Sequence, residues 1–130
     1  MSTISIIKQA PHDEPLNSDE INHFSQVLKA CADPLRVQIL KVLNNDTFGV
    51  LELTQIFETK QSGMSHHLKV LSQSGLVEAQ REGNAIFYRR PLNLSEDQDS
   101  EAIIQILALI DRFELNTDIL QKMSDIHTQR

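Results

Sequence analysis

The chain has 130 residues and a formal net charge of −6, with 40% hydrophobic and 23% charged residues. That length predicts one domain able to bury a core without staples, and the composition is globular rather than disordered. One cysteine, Cys31, excludes an internal disulfide framework and a multi-thiol cluster within the chain. The longest apolar run, residues 102–110, contains Gln105 and is too short to span a membrane. The start, MSTISIIKQAPHDEP, has no basic segment followed by a long apolar run, so a cytoplasmic protein is expected.

Residues 1–16 carry two prolines and no helical period, which predicts a flexible N-terminal arm. Asn17 then suits an N-cap, with Glu20 at the third helical position and Leu16 and Ile21 placed for a hydrophobic staple. Ile21, Phe24, Leu28 and Cys31 share one face of the helix that follows. Asp33 and Pro34 open a second helix as cap and first residue. Residues 44–49 read as a turn and 50–57 as a short third helix. Thr59 or Lys60 opens the next helix, and Gly75 ends it. The period then changes. Residues 76–80 and 85–89 read as strands joined by the turn Arg81-Glu82-Gly83-Asn84, the one clear β element. A last long helix follows, with Ile103, Ile106, Leu107, Ile110 and Phe113 on one face; a break is expected at Asn116-Thr117, with Thr117 as cap. The whole is mainly α with a β-hairpin wing, the order of a winged helix–turn–helix.

Charge is unevenly spread. Residues 1–28 carry −3, residues 43–59 carry −3 (Asp46, Glu52 and Glu58), and residues 91–130 carry −5. Between them, residues 29–42 carry +2 and residues 60–90 carry +3. A local basic surface can steer DNA even in an acidic protein.

On the helix from Gln61, 100° per residue gathers Met64, Leu68 and Leu71 within about 60° of one another as a core stripe. Ser62, Ser65, His66, Lys69 and Gln73 gather on the other side. That outer stripe holds donors and no carboxylate, as insertion into a major groove requires beside phosphates. Gln61 and Ser62 stand at the N-terminal turn, which reaches base edges in a recognition helix. Gly63 lowers helix propensity and leaves room for close approach. Arg81 and Asn84 at the hairpin tip, with Arg89 and Arg90 at its exit, can hold backbone phosphate.

The stretches KACADPLRVQILKVL (29–43), VLELTQIF (50–57) and KQSGMSHHLKVLSQSGLVEAQREGNAIFYRR (60–90) resemble the ArsR/SmtB family of winged-helix repressors. The resemblance implies a homodimer through the first and last helices (17–32 and 97–127) around a DNA-binding core at 34–90, all within a single domain at 17–130. It implies a sequence-specific repressor of an inverted-repeat operator in double-stranded DNA, released by an effector. By motif position, Gln61, Ser62, Met64, Ser65 and His66 would approach bases, and Lys69, Arg81, Asn84 and Arg89 would hold backbone. The dimer interface is expected from Ile21, Phe24, Leu28 and Cys31 with Ile103, Leu107 and Ile110, whose apolar faces need cover.

The chain departs from the family at its metal sites. The third helix lacks the family's cysteine pair, and no histidine lies between Asp97 and Ile126. His12, His23 and His127 have no recognisable zinc spacing. No metal site and no cofactor is therefore assigned, and the effector is expected to be something other than a thiol-bound metal, such as a small organic molecule. Cys31 is read as a small buried hydrophobe and His67 as a packed histidine. With no phosphate loop, nucleophile elbow or functional carboxylate pair, an enzyme is not expected. The competing reading is a winged-helix interaction module without DNA binding; an acid in the outer stripe of residues 62–73 would have marked it, and none is present.

Overall fold

The computed structural model describes residue 15, residues 17–94 and residues 98–130. The proposed arm at 1–16, with the Leu16 half of the staple, lies outside the described residues except for Pro15. Helix α1 (Ser18–Ala30) begins at a reciprocal cap. The Asn17 side chain accepts from the Glu20 N–H at 2.9 Å, and the Glu20 carboxylate accepts from the Asn17 N–H at 3.0 Å. Helix α2 (Pro34–Val42) begins at Asp33, whose Oδ1 accepts from the N–H groups of Leu35 and Arg36 at 2.8 and 3.1 Å.

A two-residue strand, β1 (Phe48–Gly49), precedes α3 (Val50–Phe57) and α4 (Gln61–Gln73). The hairpin is β2 (Glu78–Glu82) and β3 (Ala85–Arg89). The antiparallel sheet runs β1-β3-β2, with Phe48 opposite Tyr88 and Ala79 opposite Tyr88 on the other side. β1 was expected to be turn; a two-residue strand shows no alternation, and only its pairing with β3 defines it. The first hairpin strand also starts two residues later than the apolar run suggests. Leu76 and Val77 are buried in the core instead, and Gly83 and Asn84 alone turn the chain, with Gly83 at φ +63°.

The core runs through every helix. Phe48, Leu53, Met64, Leu68, Leu71 and Leu76 are fully buried at the centre. The chain leaves α4 through Gly75 at φ +83°, where the Leu76 N–H bonds back to the Leu71 carbonyl at 3.0 Å.

The last segment forms two helices, α5 (Gln98–Ile110) and α6 (Thr117–Gln129). The break lies where the apolar face rotates, but Asn116 is the cap rather than Thr117: its Oδ1 accepts from the Ile119 N–H at 2.8 Å. α5 packs on α1 and α2, whereas α6 packs on α3.

This packing corrects half of the expected dimer face. Ile103, Leu107 and Ile110 are buried in the protomer's own core, because α5 serves as the lid over α1 and α2. Ile21, Phe24 and Leu28 remain exposed at 56%, 39% and 47%, and Ile104 and Leu109 are the exposed apolar residues of α5. Cys31 is half-buried against the core; burial pushes its thiol up, with Arg36 opposing.

Asp33 offers a stability test. Partial desolvation favours its neutral form, but the Arg36 and Leu35 N–H groups and nearby cationic charge outweigh it, so the carboxyl sits below its ordinary value. A depressed folded value means the contribution is complete above the unfolded value of about 3.9 and is lost as pH falls through the folded one. We expect Asp33→Ala to lower unfolding free energy by about 1 kcal/mol at neutral pH. In denaturant titrations across pH, the gap to wild type should narrow as pH drops below about 4.

Candidate nucleic-acid interface

α3 and α4 pack together as the helix–turn–helix, joined through Glu58 at φ 54°, ψ 44°. A left-handed glutamate is strained by about 1 kcal/mol or more, and the Thr59 N–H to Thr54 carbonyl bond at 3.2 Å helps to hold the turn. Rotation of α4 is set by Met64, Leu68 and Leu71, all fully buried. Gln61, Ser62, Ser65, His66, Lys69 and Gln73 are consequently exposed. The expected outer stripe exists as a surface, with no acid in it.

Met64 is the correction on this helix. Its side chain is fully buried among the core residues, so it anchors α4 and has no access to bases. Gly63 has open space around it: a Cβ built there meets nothing within 4 Å. Among the described residues, no neighbour requires glycine at that position.

Between α3, α4 and the wing lies a cleft of ≈ 600 Å³. Gln61 and Ser65 line it from α4, Asn84 from the wing tip, and Glu52 from α3. Leu51 and Ile86, both exposed, also line it. Neither was singled out from sequence, although VLELTQIF holds more apolar residues than one buried face of a short helix can use. A second hollow, of ≈ 460 Å³, lies at the other side of α4 and joins Lys29 and Arg36 to His66 and Gln73. Arg36 is committed within it, donating to the Ala30 carbonyl at 2.6 Å and lying 3.3 Å from His67 Nδ1. His67 is thus a packed histidine, as expected.

The arginines of the wing divide. Arg81 and Asn84 are exposed. Arg89 is half-buried, bonded to Gln80 and 3.6 Å from Glu78, so its charge is turned along the hairpin rather than outward. Arg90 is half-buried and turned inward. It grips Asp111 with two bonds of 2.7 and 3.0 Å and donates to the Leu40 carbonyl at 2.5 and 2.9 Å. The expectation that Arg90 holds phosphate is corrected on this geometry. Among the described residues, no group of three or more His, Cys, Asp or Glu side chains is placed to hold a metal ion.

The sequence profile of the bacterial regulatory protein arsR family matches residues 33–79. The transcriptional activator HlyU of Vibrio cholerae is 37% identical over 78 residues, 57% of this chain and 72% of that protein. The chain belongs to the ArsR family. The HTH-type transcriptional regulator NmtR of Mycobacterium tuberculosis is 38% identical over 57% of this chain, an alignment that spans only 62% of the relative. The repressor SdpR of Bacillus subtilis is 33% identical over 59% of this chain and 83% of its own length. The solved structure of HlyU superposes with a TM-score of 0.61 at 29% identity, covering 74% of this chain and 96% of that one. A homodimeric winged helix–turn–helix domain from Mycobacterium bovis superposes at 0.57 and 27% identity, covering 84% of each chain. This ArsR-family chain is therefore a DNA-binding transcriptional regulator and not an enzyme, and the reading as an interaction module without DNA binding is set aside.

Arg90 separates fold from binding. We expect Arg90→Ala to lower unfolding free energy by about 2–3 kcal/mol, because it strands Asp111 in a partly buried site. The salt dependence of DNA binding by the folded fraction should not change; a reduced salt slope would show that Arg90 meets phosphate after all.

Proposed function

We propose that the chain is a homodimeric repressor that reads an inverted repeat with α4 and steadies itself with the wing. The observation that carries the reading is the exposed, acid-free stripe on α4, opening on one cleft with the wing tip. Gln61, Ser62, Ser65 and His66 approach base edges; Lys69, Arg81 and Asn84 meet the sugar–phosphate backbone. Arg89 contributes by stiffening the hairpin. The DNA-binding core is residues 34–90.

Dimerisation uses the exposed Ile21, Phe24 and Leu28 face of α1, extended by Ile104 of α5. An apolar patch of this kind on a winged helix calls for a partner, and the homodimeric mycobacterial neighbour supports a second copy. Repression needs only occupancy of a promoter, and SdpR is a repressor of matching core. The releasing effector is something other than a thiol-bound metal, since each chain offers one half-buried thiol.

The test is footprinting and anisotropy titration on the chain's own promoter against random duplex, with in vitro transcription as the readout of sign. Protection of two half-sites about 34 Å apart, or a multiple of it, is expected, together with reduced transcription. Ser65→Ala and His66→Ala should each reduce discrimination by about 1–3 kcal/mol, whereas Arg81→Ala should weaken all sequences alike and lower the salt slope by about 1. Equal affinity of wild type for promoter and random duplex would sink the operator claim.

Gly63 gives an independent check. With open space on the protein side, Gly63→Ala should stabilise α4 by about 1 kcal/mol. It should also weaken operator binding, because the added methyl stands where DNA approaches. A variant that is both more stable and equally tight would mean that no close approach occurs there.

A further inference from the structure

The segment leading into α4, residues 43–59, carries three acids and no cation. Each of those acids meets a basic side chain from α6 or the residue just after it, a lysine, an arginine or a histidine. Asp46 Oδ1 lies 3.0 Å from His127 Nε2, Glu52 Oε1 lies 2.8 Å from Arg130 Nη2, and Glu58 Oε1 lies 2.9 Å from Lys122 Nζ. The Arg130 contact is two-pronged, its Nε reaching Glu52 Oε2 at 3.3 Å. Arg130 also donates to the Thr47 carbonyl at 2.8 Å and lies over the Phe48 ring. On α6, Lys122 and His127 flank the apolar stripe of Ile119, Met123 and Ile126 that packs on the core. Lys122 is shared: its Nζ also lies 3.0 Å from Asp118 Oδ2, while Asp125 stands exposed.

The positions of the acids give the pairing its meaning. Glu52 lines the same cleft as Gln61, Ser65 and Asn84, and Glu58 forms the turn immediately before α4. Left bare, these carboxylates would stand within a Debye length, about 10 Å at 0.1 M salt, of any duplex seated on α4. Exposed ion pairs add little to stability, so their larger effect falls on an approaching polyanion. Burial favours the neutral form of Glu52, yet the Arg130 bond and the Gly49 N–H outweigh it and hold the carboxyl below its ordinary value. The group is therefore charged at neutral pH and needs a counter-ion.

We propose that Lys122 of α6 and the adjoining Arg130 form a charge clasp: they neutralise Glu58 and Glu52 beside the DNA face, so that an acidic chain can bind DNA. The proposal rests on the DNA face described above. Arg130 and Lys122 act as positioning residues through Glu52 and Glu58, not as phosphate contacts.

The test is a double-variant cycle in the full chain. Wild type, Arg130→Ala, Glu52→Gln and the combination are titrated by anisotropy against a fluorescent mixed-sequence duplex at about 50 and 200 mM salt. Gln keeps an acceptor for the Gly49 N–H. We expect Arg130→Ala to bind roughly three- to tenfold more weakly at the lower salt, with a smaller deficit at the higher. Adding Glu52→Gln should restore wild-type affinity. If Arg130→Ala binds like wild type, or if the combination stays as weak as Arg130→Ala alone, the clasp is overturned. The same cycle with Lys122→Gln and Glu58→Gln repeats the measurement should Arg130→Ala melt below the assay temperature. Wild type failing on every duplex would instead remove the DNA face itself, and the clasp with it.

Discussion

Burial of Met64, Leu68 and Leu71 fixes the rotation of α4, and every functional statement about this protein depends on that rotation. Each such side chain contributes about 1.5–3 kcal/mol on leaving water. A turn of the helix by one residue would expose part of that stripe and bury hydroxyls and amides without partners, at a further cost. The outer face is thus a consequence of the inner one. Ser62, Ser65, His66 and Lys69 face solvent because three apolar residues at helical spacing have claimed the interior. Gly75 and the buried Leu76 close the helix, and Lys60 and the left-handed Glu58 open it, so its position along its own axis is fixed as well.

An acidic protein that binds DNA must sort its charges, and the fold does so in two ways. Arg90 is largely withdrawn from the surface, its guanidinium spent on Asp111 and the Leu40 carbonyl. The acids of residues 43–59 are paired from the opposite end of the chain by α6 and Arg130. Lys122 shows the reciprocal effect: bonds to Glu58 and then to Asp118 raise its ammonium above the usual range. The cations that remain exposed around α4 include Lys29, Lys60, Lys69 and the wing-tip Arg81. Net charge alone would have argued against DNA; the arrangement of charge argues for it.

Local features were legible in the sequence because their causes are local. Asn17 and Asp33 cap their helices through residues two or three positions away. The stripe on α4 follows from period alone, and the hairpin from its turn. Features made by distant partners were not legible. β1 exists only through β3. Arg90 and Asp111 look like two surface charges until the fold joins them, and Glu52 and Arg130 stand 78 residues apart. Met64 was visible both as a core residue and as a motif position near bases; geometry allows one side chain only one of these.

The interface assignment on α5 failed for a related reason. Period marks Ile103, Ile106, Leu107 and Ile110 as one face, but with Ile104 and Leu109 adding apolar surface elsewhere it cannot say whether that face meets the protomer or a partner. Packing chooses: α1 and α2 need a lid, and Ile103, Leu107 and Ile110 supply it. α1 is different, because its apolar face at Ile21, Phe24 and Leu28 stays exposed among the described residues. The side of α1 that lines the hollow beside α4, at Gln26, Lys29 and Ala30, lies roughly 100° or more around the helix axis from that face. A second copy seated on Ile21, Phe24 and Leu28 therefore leaves the α4 side of α1 uncovered. The proposed association face of α1 and the proposed DNA face on α4 thus do not compete for the same surface.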